Sequence, residues 1–328
     1  MDKNVVLTFD PMLPHGDGRP ILRGNVPKSI HSGAARAYEA SLAWALKFGL
    51  IEAGTKLYKK FQRAGFNTLA ALVYPYASSD QLVMITNFVV FLFAYDDISD
   101  DRKALLESSA LNSELRSLED RLVEIARGSR PCDSDKPLAH AFADFMNDFR
   151  MYASKDWVVR FADDMEDYLL ASRLERNDHM SSNIMTPADY IKRRRSFSAC
   201  RPAFDLGAAL LGVNFNAVER SAAARVLATL GNDHVSWVND LYGVDRDLKQ
   251  NTASNLLVCL AEHSTKDLSA ALDATIKMLN CTYDAFFELQ AADCVAAEPD
   301  VCLYSRVMHA WIEGSIAWYY HSERYNAH

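Results

Sequence analysis

Chain breakers are scarce in this sequence: 328 residues hold only 13 glycines and 10 prolines, where ordinary usage would supply roughly 23 and 16. That scarcity favours long helices. The six cysteines (Cys132, Cys200, Cys259, Cys281, Cys294 and Cys302) form no CxxC pair and no His/Cys cluster with zinc spacing. They read instead as buried, reduced thiols of a cytosolic chain. There is no excess of basic charge: the formal net charge is −8. A nucleic-acid binder needs a basic face to displace phosphate counterions, and the one basic run, Lys192 to Arg195, is too local to supply it. The opening MDKNVVLTFDPMLPHGDGRP has neither the basic-then-apolar order of a secretory leader nor the Arg/Ser-rich pattern of a transit peptide, so a cytoplasmic location is expected. The longest apolar run, Leu82 to Tyr95, carries Asn87 and leads into clustered aspartates. It reads as a core helix and not as a membrane crossing. GxSxG, HExxH and GxGxxG are all missing, which leaves hydrolase, zinc-protease and dinucleotide readings without support.

What is present is helical periodicity. Residues 1–28, with Pro11, Pro14, Pro20 and Pro27, read as an extended arm or strap. From residue 29 to 328 no linker, repeat or low-complexity tract interrupts the pattern, so one all-α domain is expected. Helices are predicted over Ala34 to Leu50, Ala53 to Arg63, Ser79 to Tyr95, Arg102 to Ile125, Pro137 to Tyr152, Asp156 to Asn177, Thr186 to Arg194, Arg201 to Gly212, Asn216 to Thr229, Asp233 to Leu248, Asn255 to Glu262, Leu268 to Ala291 and Ser305 to His321. Ser79-Asp80, Thr186-Pro187 and Asn216 supply start signals, and no alternating strand run competes.

Two acidic stretches carry chemistry. In FLFAYDDISDD (residues 91–101) Asp96 and Asp100 share one helical face, with Asp97 about 100 degrees around. They repel each other and oppose the negative end of the helix dipole, and a cation relieves both penalties. Mg2+ suits the arrangement, since it takes one or two carboxylates and completes its shell with phosphate oxygens and water. A lone cluster of this kind is equally an exposed acidic helix end. In NDLYGVDRD (residues 239–247) Asn239, Gly243 and Asp247 lie along one stripe with Arg246 in the same sector, while Asp240 and Asp245 point elsewhere. The stripe offers an amide oxygen, a carboxylate and a guanidinium for a second metal and its anion.

This second stretch resembles the (N/D)DxxSxxxE metal motif of class I terpene cyclases, with Gly243 where Ser is usual and Asp247 in place of Glu. Two further stretches extend the resemblance. GSIAWYYHSERY (residues 314–325) ends in Arg324 and Tyr325, similar to the terminal Arg-Tyr pair of fungal and bacterial sesquiterpene cyclases. YIKRRRSFSACRP (residues 190–202) resembles the diphosphate-sensing YxxxRRxTxG, with Phe197 and Ala199 replacing Thr and Gly. Arg194 is taken as the sensor, with Arg193 and Arg195 as alternatives. Weaker echoes lie at Trp44, Tyr74-Pro75 and Asn255-Leu256-Leu257, so the resemblance spans nearly the whole chain beyond the arm.

The resemblance implies a helical bundle around a central cavity. It implies Mg2+, three ions with Mn2+ as a substitute, held by Asp96, Asp100, Asn239 and Asp247, with Arg194, Arg246, Arg324 and Tyr325 around the substrate diphosphate. Asp96, Asn239 and Arg194 are the residues on which ionisation would depend. The implied substrate is farnesyl diphosphate, cyclised with loss of diphosphate by a monomer or homodimer that has no integral membrane segment. Phe91, Phe93, Phe197, Trp311 and Trp318 are candidates for the cavity wall, where ring faces steady a cation, although aromatics at helical spacing are more often plain core. A chain-elongating prenyl diphosphate synthase is the nearest rival, but such enzymes carry two DDxxD motifs. A non-catalytic helical binder of prenyl diphosphate is the other.

Overall fold

Gly65, with φ of 65°, turns the chain between two short helices near the start of the bundle, and nearly every apolar repeat around them winds into a helix. The computed structural model describes residues 5–6, 22–25, 27, 29–99, 102–180, 184–250 and 253–322. Among them are sixteen α-helices: α1 (Ala34–Lys47), α2 (Lys56–Ala64), α3 (Phe66–Val73), α4 (Ser79–Ser99), α5 (Arg102–Glu107), α6 (Ser109–Ala126), α7 (Pro137–Tyr152), α8 (Lys155–Met180), α9 (Pro187–Arg194), α10 (Cys200–Leu210), α11 (Phe215–Arg220), α12 (Ala222–Lys249), α13 (Leu256–Leu260), α14 (Leu268–Gln290), α15 (Asp293–Ala296) and α16 (Pro299–His321). A π-helical turn, Ala261–Thr265, follows α13.

Seven of these helices close a ring in which each packs on the next: α3, α4, α7, α8, α10, α12 and α16, back to α3. Helix α4 is long and apolar enough to cross a membrane by composition alone, but it packs on α1, α3 and α7. Its Phe88 and Phe91 stack on Phe145 and Phe142 at ring-centroid distances of 4.8 and 4.5 Å, and Phe161 of α8 joins them. Each ring so enclosed contributes roughly 1.5–3 kcal/mol. Phe91, a candidate for the cavity wall by sequence, is fully buried in this cluster and is core. On the opposite side α16 lies unusually close to α3. A Cβ on Gly314 would sit 2.8 Å from Val73 Cγ1 and 2.9 Å from the Leu72 carbonyl carbon, so only glycine permits the contact. The contact sets Trp318, whose indole N–H donates to the Ala64 and Gly65 carbonyls at 3.2 and 3.1 Å.

Several element boundaries differ from the sequence reading, each for a local reason. Helix α3 was not predicted, being an eight-residue apolar run too short to show a period. The predicted Arg102 to Ile125 helix is interrupted at Ser108, whose Oγ accepts from the Leu111 amide at 3.2 Å and restarts the chain as α6. The start of α4 is capped by Ser78, one residue before the predicted pair: Ser78 Oγ accepts from Gln81 N, and Gln81 Oε1 accepts from Ser78 N. Asn214, not Asn216, caps α11. Helix α12 runs unbroken through Gly231 and Asn232, which propensity alone marks as an interruption, because its walls α10, α14 and α16 hold it. A two-residue antiparallel pair, Val5–Val6 with Ser29–Ile30, was also not foreseen. Of the cysteines only Cys200 and Cys259 are buried; Cys132, Cys281 and Cys294 stand at exposed positions. All six are free thiols. Most of the arm lies outside the described residues, but Leu22–Asn25 crosses α14, where the Arg23 amide donates to Asn280 Oδ1 at 2.8 Å and its guanidinium pairs with Asp284.

Candidate active site

Helix α9 begins at Thr186, whose hydroxyl accepts from the Asp189 amide, with Pro187 in the first turn, and it ends at Arg194. Tyr190 and Arg194 are four residues apart and so point the same way, into α12. There the Asp240 carboxylate accepts from the Tyr190 hydroxyl at 2.7 Å, from Arg194 Nε at 3.1 Å and from the Leu256 amide at 3.2 Å. Arg194 is 9% exposed and Asp240 2%. Burial alone would weaken the charge on Arg194, but the Asp240 carboxylate more than offsets it and holds the guanidinium protonated. Burial likewise pushes Asp240 up, with Arg194 and Tyr190 pulling back. The chain then turns through residues 195–199 and enters α10 from Ala199, which adopts a left-handed φ of 57°. That conformation costs an L-residue roughly 1–2 kcal/mol, and it falls where the related motif carries glycine.

Another donor of Arg194 reaches the motif itself: Nη2 donates to Asn239 Oδ1 at 2.9 Å, and the other end of that amide donates to the Tyr319 hydroxyl at 2.6 Å. Further along α12, Asp247 is 7% exposed and held on both oxygens. Its Oδ2 accepts from Asn255 Nδ2 at 2.9 Å, and its Oδ1 from Arg246 Nε and Nη2 at 3.1 and 3.0 Å. Asn255, fully buried, also donates to the Asp240 carbonyl and caps α13 through the Leu257 amide. A Cβ at Gly243 would lie 3.3 Å from Asp247 Oδ2, so the Asp247 carboxylate occupies the space into which a side chain at 243 would project.

At the end of α4, Asp96 Oδ1 accepts from the Tyr168 hydroxyl of α8 at 2.9 Å, and Asp97 accepts from Lys60 Nζ at 2.8 and 2.9 Å. A cavity of about 940 Å3 opens beside this end, walled by Phe61, Phe66, Val90, Phe93 and Leu118 among others, and it carries both Asp97 of α4 and Arg246 of α12. The two acidic motifs therefore border one space. Asp96, Asn239 and Arg194 are not on its wall. Phe93 links the two sides: it stacks on Phe66 at 4.7 Å and leans on Trp318 at 5.7 Å, and Trp318 adjoins Tyr319. Phe197 lies under the Arg194 guanidinium, 5.1 Å from it, and Trp311 packs between Tyr74 and Phe204, away from that space.

Of the residues singled out in the sequence, the structure joins Arg194 to Asn239 and Arg246 to Asp247, with Asp96 on the facing helix. Among the three arginines, Arg193 is exposed and Arg195 is engaged in a bidentate pair with Asp233 at 2.8 and 2.7 Å, so it is Arg194 that reaches Asn239. Asp100, Arg324 and Tyr325 lie outside the described residues. Among the described residues no three carboxylate, imidazole or thiolate groups converge on one point. Asp240, expected from the helical spacing to point away from the Asn239 stripe, does so, and it is the counter-charge that aims Arg194. Tyr168 and Tyr319 gave no sequence signal, because their partners are 72 and 80 residues away.

An all-helical ring with two acidic helix ends bordering a largely apolar space defines a class of protein, and the comparisons with known proteins name it. Residues 87–285 match the model of terpene synthase family 2, C-terminal metal binding. The chain belongs to this terpene synthase family. Germacrene A synthase of Nostoc punctiforme is 25% identical over 292 residues, covering 88% of this chain and 89% of its own. The (-)-delta-cadinene synthase of Streptomyces clavuligerus is 27% identical over 316 residues, covering 91% and 92%. The fold is shared with the linalool/nerolidol synthase of Streptomyces clavuligerus, solved in complex with 2-fluorogeranyl diphosphate, at a TM-score of 0.79 and 20% identity over 88% of this chain and 99% of that one.

Proposed function

We propose that this terpene synthase is a sesquiterpene cyclase that ionises farnesyl diphosphate with Mg2+ and folds the resulting cation into a ring. The observation that carries the reading is the placement of Arg194. A guanidinium buried against Asp240 also touches Asn239, the first residue of the expected metal stripe, so an anion receptor and a metal-side oxygen are held within one hydrogen bond of each other. The names of relatives agree: a Streptosporangium roseum protein 26% identical over 311 residues is a 4-epi-cubebol synthase described as (2E,6E)-farnesyl diphosphate cyclizing.

The donors fit Mg2+ in kind, being carboxylate and amide oxygens with no soft ligand among them. Asp96, Asn239 and Asp247 would hold the metal, joined by Asp100. Bound there, Mg2+ neutralises charge on the departing diphosphate and so lowers the barrier to carbon–oxygen cleavage. Arg194 and Arg246 bind the same anion through their planar forks, and Arg324 and Tyr325 extend that set. Arg194 is kept charged by Asp240. The apolar walls around Phe93 exclude water from an allylic cation, and ring faces offer it negative charge without a lone pair. No side-chain nucleophile takes part.

Purified protein given Mg2+ and farnesyl diphosphate is expected to release inorganic diphosphate and a volatile fifteen-carbon hydrocarbon or alcohol, read by gas chromatography. Longer prenyl diphosphates formed only when isopentenyl diphosphate is added would instead indicate chain elongation. Absence of turnover with ten-, fifteen- and twenty-carbon substrates, under Mg2+ or Mn2+, would leave a binder.

A further inference from the structure

The Asn239 carboxamide has an accepting end and a donating end of nearly the same shape, and only the oxygen end can ligate a hard cation. Which end faces which way is decided by its partners. Arg194 carries donors only, so the end 2.9 Å from its Nη2 is the oxygen; the NH2 end is then directed at the Tyr319 hydroxyl, 2.6 Å away. Tyr319 is itself fixed. It is 6% exposed, stacks on Tyr242 with centroids 5.4 Å apart and planes 13° from parallel, and meets Trp318 edge-on at 4.9 Å. Trp318 is tied to the α2–α3 turn through Ala64 and Gly65.

We infer that Tyr319 is a positioning residue for the second metal helix, holding the Asn239 amide with its oxygen turned to the metal and diphosphate. The inference rests on the metal-dependent reading above. In that reading Arg194 is drawn to the diphosphate when substrate binds, and it then no longer constrains the amide. The phenol, anchored by aromatic packing and not by the substrate, goes on accepting from Nδ2 and keeps the oxygen outward. A carboxylate at 239 would have no such need, since both its arms end in oxygen.

The test is Mn2+ binding in the presence of inorganic diphosphate, followed by electron paramagnetic resonance without turnover. Tyr319→Phe, which keeps the ring and removes the hydroxyl, is expected to weaken binding about tenfold, in line with other groups that orient metal ligands. Placed in an Asn239→Asp background the same change is expected to weaken it less than about twofold, because either carboxylate oxygen can serve. Tyr319→His, which retains a ring and an accepting nitrogen, is expected to bind nearly as the parent does. Equal losses in the parent and in the Asn239→Asp background, or no loss in either, would overturn the inference. So would a Tyr319→Phe protein that no longer folds, because the hydroxyl would then serve the fold and not the orientation of a ligand. A parent protein that binds no Mn2+ with diphosphate would instead overturn the metal reading itself.

Discussion

The last turn of α4 and the last turns of α12 both present acidic residues to the same space, yet among the described residues they are held very differently. Asp96 meets the Tyr168 phenol, and Asp97 pairs with the half-exposed Lys60. Along α12, by contrast, Asn239, Asp240 and Asp247 are tied to Arg194, Tyr190, Asn255, Arg246 and Tyr319 by hydrogen bonds of 2.6 to 3.1 Å, half of them buried and the rest part-buried. The difference teaches which side is built in advance. Charges buried in a connected network are costly to disturb, so α12 arrives preset. At the α4 end the Asp97–Lys60 pair is exposed and contributes little on its own, so that end is the cheaper one to reorganise.

The sharpest way to break that contrast is to remove Arg194. Arg194→Ala leaves Asp240 buried without its counter-charge, and thermal or denaturant unfolding should show a loss of about 3–5 kcal/mol, together with loss of turnover. Asp96→Asn is expected to do the opposite: turnover of farnesyl diphosphate falls about a hundredfold while the unfolding midpoint hardly moves. If Asp96→Asn proved as destabilising as Arg194→Ala, the two ends would be equally structural and the contrast would be wrong.

A smaller effect probes how dry the α12 wall is. His234 is fully buried, both ring nitrogens lack a hydrogen-bond partner among the described residues, and burial lowers its pKa to about 3. Between that value and its ordinary one near 6.5 the unfolded chain binds a proton that the folded chain does not. His234 therefore supports stability above about pH 6.5, and that support drains away as pH falls toward 3, by about 1.4 kcal/mol per pH unit. Denaturant titrations from about pH 7 to 4 should show this slope in the parent and a shallower one in His234→Phe. The smallest change expected is a gain. Ala199→Gly relieves the left-handed φ at the start of α10 and should raise stability by about 1 kcal/mol, visible as a higher melting temperature. An unchanged melting temperature would mean that the turn carrying Arg194 relaxes without help.

Local sequence settled a good deal. Apolar spacing marked most of the helices, and the i, i+4 arithmetic placed Asn239, Gly243 and Asp247 on one stripe before any packing was known. Capping residues were legible where side chain and amide lie within three residues, as at Thr186, and were misplaced by a residue or two at Ser78 and Asn214. The eight-residue α3 stayed hidden because a run so short shows no period, and α12 was read as two helices because propensity at Gly231 and Asn232 yields to the helices packed around it.

The sequence alone also determined the chemistry on offer: oxygen ligands without soft partners, arginines in place of nucleophiles, and a helical frame with few breaks. Only the tertiary structure decided which arginine meets Asn239. Arg193, Arg194 and Arg195 are chemically identical, and they are separated by where α9 meets α12, which exposes the first, buries the second against Asp240 and gives the third to Asp233. It likewise joined Asp247 to Asn255, and Asp96 and Asn239 to Tyr168 and Tyr319. Spacing along a helix fixes direction about its own axis, but what stands in that direction depends on where neighbouring helices cross, and those crossings are set by contacts as remote in sequence as Gly314 against Leu72 and Val73.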